Sequence, residues 1–116
     1  GLPYETEEMM LETIKYLNNL NIDGIKIHML NICRNTKIYE LYQKTNFHIL
    51  SKEEYIDIVI KQLELLNPQI VIHRITSDPN PKNLVAPQFL IKKFCLLNDI
   101  DKEIKKRNTY QGKKLV

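Results

Sequence analysis

The segment Ile22-Asp23-Gly24-Ile25-Lys26-Ile27-His28-Met29-Leu30-Asn31-Ile32 constrains the fold more than any other stretch of this chain. An Asp-Gly breaker followed by a β-branched and apolar run predicts one strand entered through a turn. The strand is left through Asn31-Ile32-Cys33-Arg34-Asn35. Alternation places Ile25, Ile27 and Met29 on one face and Lys26, His28 and Leu30 on the other. Helical patterns lie on both sides of it. A strand that is apolar behind and cationic in front points to a barrel or an open α/β sheet, whose ligands sit at the C-terminal strand ends.

The flanking helices announce themselves by their caps. Thr6 precedes Glu7 and Glu8, carboxylates that suit a first turn, and Met10, Thr13, Ile14 and Leu17 recur at helical spacing to about Asn19. Thr36 opens a short helix to about Lys44, with Ile38, Leu41 and Tyr42 as its apolar side. Ser51-Lys52-Glu53-Glu54 is a capping box for a third helix to about Leu66, and Tyr55, Ile56, Val59, Ile60, Leu63 and Leu66 form its stripe. Pro68 ends it. Gln69 to Thr76 predicts a second strand, Ser77-Asp78-Pro79-Asn80-Pro81 a stiff loop, and Pro87 to Arg107 one long helix. That helix should bury Phe89, Leu90, Phe94, Leu97, Ile100 and Ile104, with Cys95 in the apolar stripe. The order α-β-α-α-β-α implies parallel strands if both share a sheet, and two strands are too few for a self-sufficient one.

Composition bounds the class. The 116 residues are 43% hydrophobic and suit one small domain. No run approaches the roughly 18 apolar residues of a membrane span, so no membrane partner is expected. Gly1-Leu2-Pro3-Tyr4-Glu5 does not read as a signal peptide, and two distant cysteines do not read as a disulfide scaffold, so a reduced cytoplasmic setting is expected. The start lacks Met and reads as the loop after a preceding strand, the mark of a fragment. The net charge is +3, weighted to Lys102, Lys105, Lys106, Arg107, Lys113 and Lys114. Those six form either a solvated helix face followed by a frayed tail, or a patch for nucleic acid or an acidic partner.

Residues that could carry chemistry gather on the two strands. Lys26 and His28 share a face, and His73, Arg74, Thr76 and Asp78 lie on or past the second strand. With parallel strands, Asn31, Thr76 and Asp78 would meet at one rim, where Lys and Arg supply charge and His an acid or base. Equally, each strand has one polar face turned to solvent. His28, His48 and His73 lack metal-ligand spacing, no glycine-rich phosphate loop occurs, and no metal site is expected. Cys33 is a nucleophile only if Arg34 activates it; Cys95 is expected in the core.

Gly1-Leu2-Pro3-Tyr4-Glu5-Thr6 resembles the G-L-P-G-E/Q-T segment of radical SAM enzymes related to oxygen-independent coproporphyrinogen oxidase. Asp23 to His28 is similar to the sixth and last barrel strand of that family, and Asn35-Thr36-Lys37-Ile38 to the motif beyond it. Ile72 to Asp78, Ala86-Pro87 and Thr109-Tyr110-Gln111-Gly112 resemble the C-terminal part of the uncharacterised YhcC-type Fe–S oxidoreductases. The resemblance implies an α/β fold: the C-terminal part of a partial TIM-type (β/α)6 barrel in residues 1–66, then an extension of strand, Pro-rich loop, long helix and tail in residues 67–116. It implies a 4Fe–4S cluster and S-adenosylmethionine in the full-length protein, which together generate a 5′-deoxyadenosyl radical that attacks an unknown substrate. The cluster-binding C-x-x-x-C-x-x-C is absent from this sequence. The fragment would therefore bind neither cofactor alone and be inactive, its partner being the missing N-terminal barrel half.

Residue by residue, the resemblance places Gly1, Leu2, Pro3, Leu30, Asn31 and Ile32 at the S-adenosylmethionine pocket. It leaves Lys26, His28, His73, Arg74 and Asp78 as candidates for catalysis, with His28 facing the lumen. Tyr4 replaces a family Gly, and a positive φ is costly for Tyr, so the loop is expected to be altered in shape or trimmed of partners. Loss of the earlier strands would bare one edge and one face of the first strand, which the fragment would cover by self-association.

Overall fold

The structure, a computed structural model, describes residues 1–115. Its elements in chain order are α1 (Glu7–Asn18), β1 (Gly24–Lys26), β2 (Ile32–Cys33), α2 (Lys37–Thr45), α3 (Lys52–Leu65), β3 (Val71–Arg74), β4 (Leu84–Ala86), a 3-10 helix (Gln88–Lys92) and α4 (Lys93–Lys106). All three expected N-caps are made. Thr6 Oγ1 accepts from Met9 N–H, and Thr36 Oγ1 from Tyr39 N–H. Ser51 and Glu54 close the capping box in both directions, at 3.1 and 3.0 Å. A cap satisfies helix N–H groups that have no partner inside the helix, which is why these starts are legible locally.

β1 and β3 pair in parallel, with Gly24 opposite Val71, Ile25 opposite Ile72 and Lys26 opposite Arg74, and a register irregularity between Ile25 and Lys26. Ile25, Ile27, Met29 and Ile72 turn to the core formed with Tyr55, Val59, Leu63, Leu96 and Ile100. The opposite face of the pair is bare: Lys26, His28 and His73 are exposed, and Val71 is 57% exposed. The helices thus cover one side of the sheet only.

Four expectations are corrected. The first strand does not run to Ile32; it ends at Lys26, and Ile32–Cys33 is a separate strand, antiparallel to Leu84–Ala86. Ile32 is fully buried there. The long helix is divided, because its first turns are 3-10. Lys92, where the 3-10 helix meets α4, sits at φ −95° and ψ +62°, outside the helical region, so one turn pattern does not run through both. Leu96 therefore takes the core position, Phe94 is 73% exposed, and Cys95 lies on the surface instead of in the core. Nor does the C-terminal tail fray. Gly112 N–H donates to Leu63 O and Lys114 N–H to Glu64 O, each at 2.9 Å, while Asn18 Nδ2 donates to Leu65 O at 2.7 Å. Orphan carbonyls at the end of α3 are satisfied from both ends of the chain. Finally, the loop at Tyr4 does not escape the left-handed region; Tyr4 sits at φ +66° with its ring in solvent.

Candidate functional site

A cavity of about 370 Å³ opens where the N-terminal loop meets the segment leaving β1. Leu2 N–H donates to the Glu5 carboxylate at 3.2 Å, and Glu5 N–H to Leu2 O at 3.0 Å, closing the loop as a turn. Thr6 then caps α1 and fixes the angle at which the helix leaves. Gly1, Leu2 and Glu5 form one wall, His28, Met29 and Leu30 the other, and Tyr55, Ile58 and Gln62 of α3 the back. The wall is apolar with a few polar groups, the usual make-up of a small-molecule site. Of the residues expected at a cofactor pocket, Gly1, Leu2 and Leu30 line this cavity and Pro3, Asn31 and Ile32 do not.

A second groove, of about 420 Å³, lies between β3 and the first turn of α4. It gathers His73, Arg74 and Thr76 with Lys93, Phe94 and Leu97. Asp78 lies beside it and accepts from Lys93 Nζ at 3.2 Å. His28 is thereby separated from His73, Arg74 and Thr76: it lines the first cavity, and they line the second groove. Lys26 lines neither and stands on the bare face. The His73 ring lies over Gly24, where a Cβ would fall 2.4 Å from Nε2. The Asp-Gly turn thus has a second reason for its glycine, the close approach of that ring.

Two side chains join the rims. Tyr55 Oη donates to Ile75 O at 2.7 Å, and Ser77 Oγ donates to Met29 O at 3.1 Å. Burial pushes the Tyr55 phenol well above its ordinary range, so it is a fixed donor. Neither link was apparent from spacing. The signal was a Tyr inside an otherwise aliphatic stripe and a Ser directly after Thr76, both polar groups that burial obliges to bond.

The remaining candidates resolve into structure. Cys33 Sγ contacts Asn31 Oδ1 at 3.4 Å, and the Cys33 carbonyl accepts from Thr36 Oγ1 at 2.7 Å. Among the described residues, no group of three His, Cys, Asp or Glu side chains is placed to hold a metal ion. No helix among them is long and apolar enough to cross a membrane. In the C-terminal basic cluster Lys105 pairs with Asp101, Arg107 with Glu103 and Asp57, and Lys114 with Glu64. Half of the cluster is thus neutralised within the fold, and the nucleic-acid reading gains no support. Thr109-Tyr110-Gln111-Gly112 proves to be packing chemistry: Thr109 Oγ1 donates to the buried Glu64 carboxylate at 2.6 Å, and Gln111 Nε2 to Asn67 O and Ile70 O.

The uncharacterized protein YtqA of Bacillus subtilis is 38% identical over 113 residues, 97% of this chain and 35% of its own length. The uncharacterized protein MJ0486 of Methanocaldococcus jannaschii is 35% identical over the same shares. The protein YhcC of Escherichia coli is 23% identical over 102 residues. The chain thus spans about a third of the length of the curated relatives it matches. Among solved structures, Elp3 of Methanocaldococcus infernus, with residues 1–46 deleted, superimposes with a TM-score of 0.78 at 19% identity, over 96% of this chain and 26% of that one. The fold is therefore a mixed α/β domain of a kind found in that protein. Residues 22–106 match the Radical_SAM C-terminal domain family, and the chain belongs to it.

Proposed function

We propose that residues 1–116 form the C-terminal portion of a radical SAM enzyme and that the cavity between Gly1–Glu5 and His28–Leu30 holds part of S-adenosylmethionine. The observation that carries this reading is the meeting of the Gly-Leu-Pro loop and the end of β1 around one cavity, in a chain of this family. The residues suit the ligand. Leu2, Leu30 and Leu50 offer apolar walls to a nucleoside, and Glu5, Thr13 and Gln62 offer polar partners to its hydroxyl and amino groups. They do not suit an iron–sulfur cluster, which takes several thiolates; Cys33 and Cys95 are this chain's two, and no group of three His, Cys, Asp or Glu side chains gathers among the described residues. No step through a cluster is therefore derived from these residues.

In this family, bound S-adenosylmethionine is the source of a 5′-deoxyadenosyl radical. This chain's contribution is to bind and orient. The Leu2–Glu5 turn and the Met29–Leu30 wall close on the ligand from two sides, and His28 stands at the mouth. The bare face of β1 and β3 turns to the lumen of a partial (β/α)6 barrel, whose earlier strands and cysteine loop lie outside residues 1–116. The test uses the full-length parent, reconstituted without oxygen and then reduced, with 5′-deoxyadenosine release from S-adenosylmethionine as the readout. Release that depends on the cluster is expected. A parent without a C-x-x-x-C-x-x-C loop, or a cluster-loaded parent that does not bind S-adenosylmethionine, overturns the reading.

A further inference from the structure

The wall of the cavity is held in an unusual way. The β1–β3 pairing closes with Ile27 N–H donating to Arg74 O at 2.7 Å. Residues 28–31 then leave the sheet with no strand partner. Among the described residues, their backbone has one hydrogen bond, the one that the Met29 carbonyl accepts from Ser77 Oγ at 3.1 Å. His28, Met29 and Leu30 line the cavity. The Met29 side chain packs in the core, and one hydroxyl supplies the hydrogen bond that fixes the backbone of this wall.

Ser77 is itself well placed to hold a position. It is buried, and so is Thr76 before it, whose hydroxyl donates to the Ser77 carbonyl. Ile75 is anchored to α3 by the Tyr55 phenol. The path runs from rigid α3 through Ile75 to Ser77 and from there to Met29, while the Ser77 side chain does not line the cavity. A buried hydroxyl with one direct partner fixes that partner in direction as well as distance.

We propose that Ser77 is a positioning residue for the ligand of this cavity: its hydroxyl holds the Met29–Leu30 wall against which the nucleoside part of S-adenosylmethionine packs. This rests on the binding reading given above. It also assigns a role to one member of the Ile72–Asp78 segment that does not depend on the groove beside α4.

The experiment compares full-length wild type with Ser77→Ala and with Ser77→Cys, which keeps a weaker donor of similar size. Backbone order parameters of residues 28–31 and the methyl order parameter of Met29 are measured by NMR on the cluster-free protein. Binding of S-adenosylmethionine is measured by equilibrium dialysis on the reconstituted protein. In Ser77→Ala, order parameters in 28–31 should fall from the rigid range near ~0.85 towards ~0.6, with α3 and α4 unchanged. Affinity should weaken about 3- to 10-fold, the worth of one hydrogen bond, and Ser77→Cys should recover part of both. Unchanged order in 28–31 overturns the tether, and a uniform loss of order across α3 and α4 shows Ser77 to be merely structural. Local loosening with undiminished affinity overturns the link to the ligand. A wild type that binds no S-adenosylmethionine sinks the binding reading, while the NMR arm still decides the tether.

Discussion

Gly112→Ala should be the most damaging single methyl that can be added to the C-terminal segment. Gly112 has φ +82°, in the left-handed region. A Cβ there would lie 2.7 Å from Pro68 Cδ, 3.1 Å from Pro68 Cγ and 3.3 Å from Leu66 O. The left-handed conformation costs a residue with a Cβ about 1–2 kcal/mol. Overpacking against a ring that cannot swing away adds about 1–3 kcal/mol. The lower unfolded-state entropy of Ala returns about 0.4–1 kcal/mol. The net loss is about 2–4 kcal/mol, or on the order of 8–16 °C in Tm for a chain of this length. Urea unfolding followed by far-ultraviolet circular dichroism gives the loss directly. The double variant with Pro68→Ala separates its parts, since removing the ring should recover the overpacking share as a coupling of about 1–3 kcal/mol. A Gly112→Ala chain within about 0.5 kcal/mol of wild type, or a double variant that is simply additive, would refute the claim that this segment is seated against Pro68.

Leu96→Ala should cost about 2–5 kcal/mol and Phe94→Ala no more than about 0.5 kcal/mol in the same assay, because Leu96 is fully buried and Phe94 faces solvent; the reverse ranking would mean that α4 turns its other face to the core. Tyr4→Gly should stabilise by about 0.5–1 kcal/mol, as release from the left-handed region outweighs the entropy that glycine adds to the unfolded chain, and a loss of stability would exclude φ +66° at this position. Glu54 is held below its ordinary value of 4.5 by the Ser51 backbone N–H first and by His48 second. A depressed folded-state value makes the carboxylate stabilising above the ordinary value, and the contribution is lost as pH falls through the depressed one. Glu54→Gln should accordingly flatten the acid limb of stability measured between about pH 6 and about pH 3, and an unchanged limb would deny the ion a part in the cap.

What the sequence discloses here follows the range of the interaction. Thr6, Thr36 and Ser51 speak to N–H groups three residues away, so their helices could be placed from neighbours alone. The parallel pairing of β1 with β3 was also accessible, since helices between two apolar runs leave little else. β2 and β4 were not. Two residues at Ile32–Cys33 carry no period, and their partner lies beyond α2, α3 and β3. Phe94 was misplaced for a third reason: the helix does not run on from Pro87 but is broken at Lys92, and composition does not reveal where such a break falls. At the candidate site, Gly1, Leu2 and Leu30, singled out by resemblance to a family, line the first cavity, and Pro3, Asn31 and Ile32 do not. The hydroxyl of Ser77 was not legible, because its partner is a carbonyl, which every residue has.

The sealing of α3 from both ends of the chain bears on the order in which the domain can be made. During synthesis α1 and the body of α3 emerge early, and Asn18 can reach Leu65 O as soon as both are out. Leu63 O has Leu66 N–H beside it from the start, but the Glu64 carbonyl must wait for Lys114, after β3, β4 and α4 have all been translated. Until then the Glu64 carbonyl in the last turn of the central helix is left to water. The domain is therefore finished late, as a unit, and a ribosome that stalls anywhere in α4 leaves a nascent chain whose core helix has an open end.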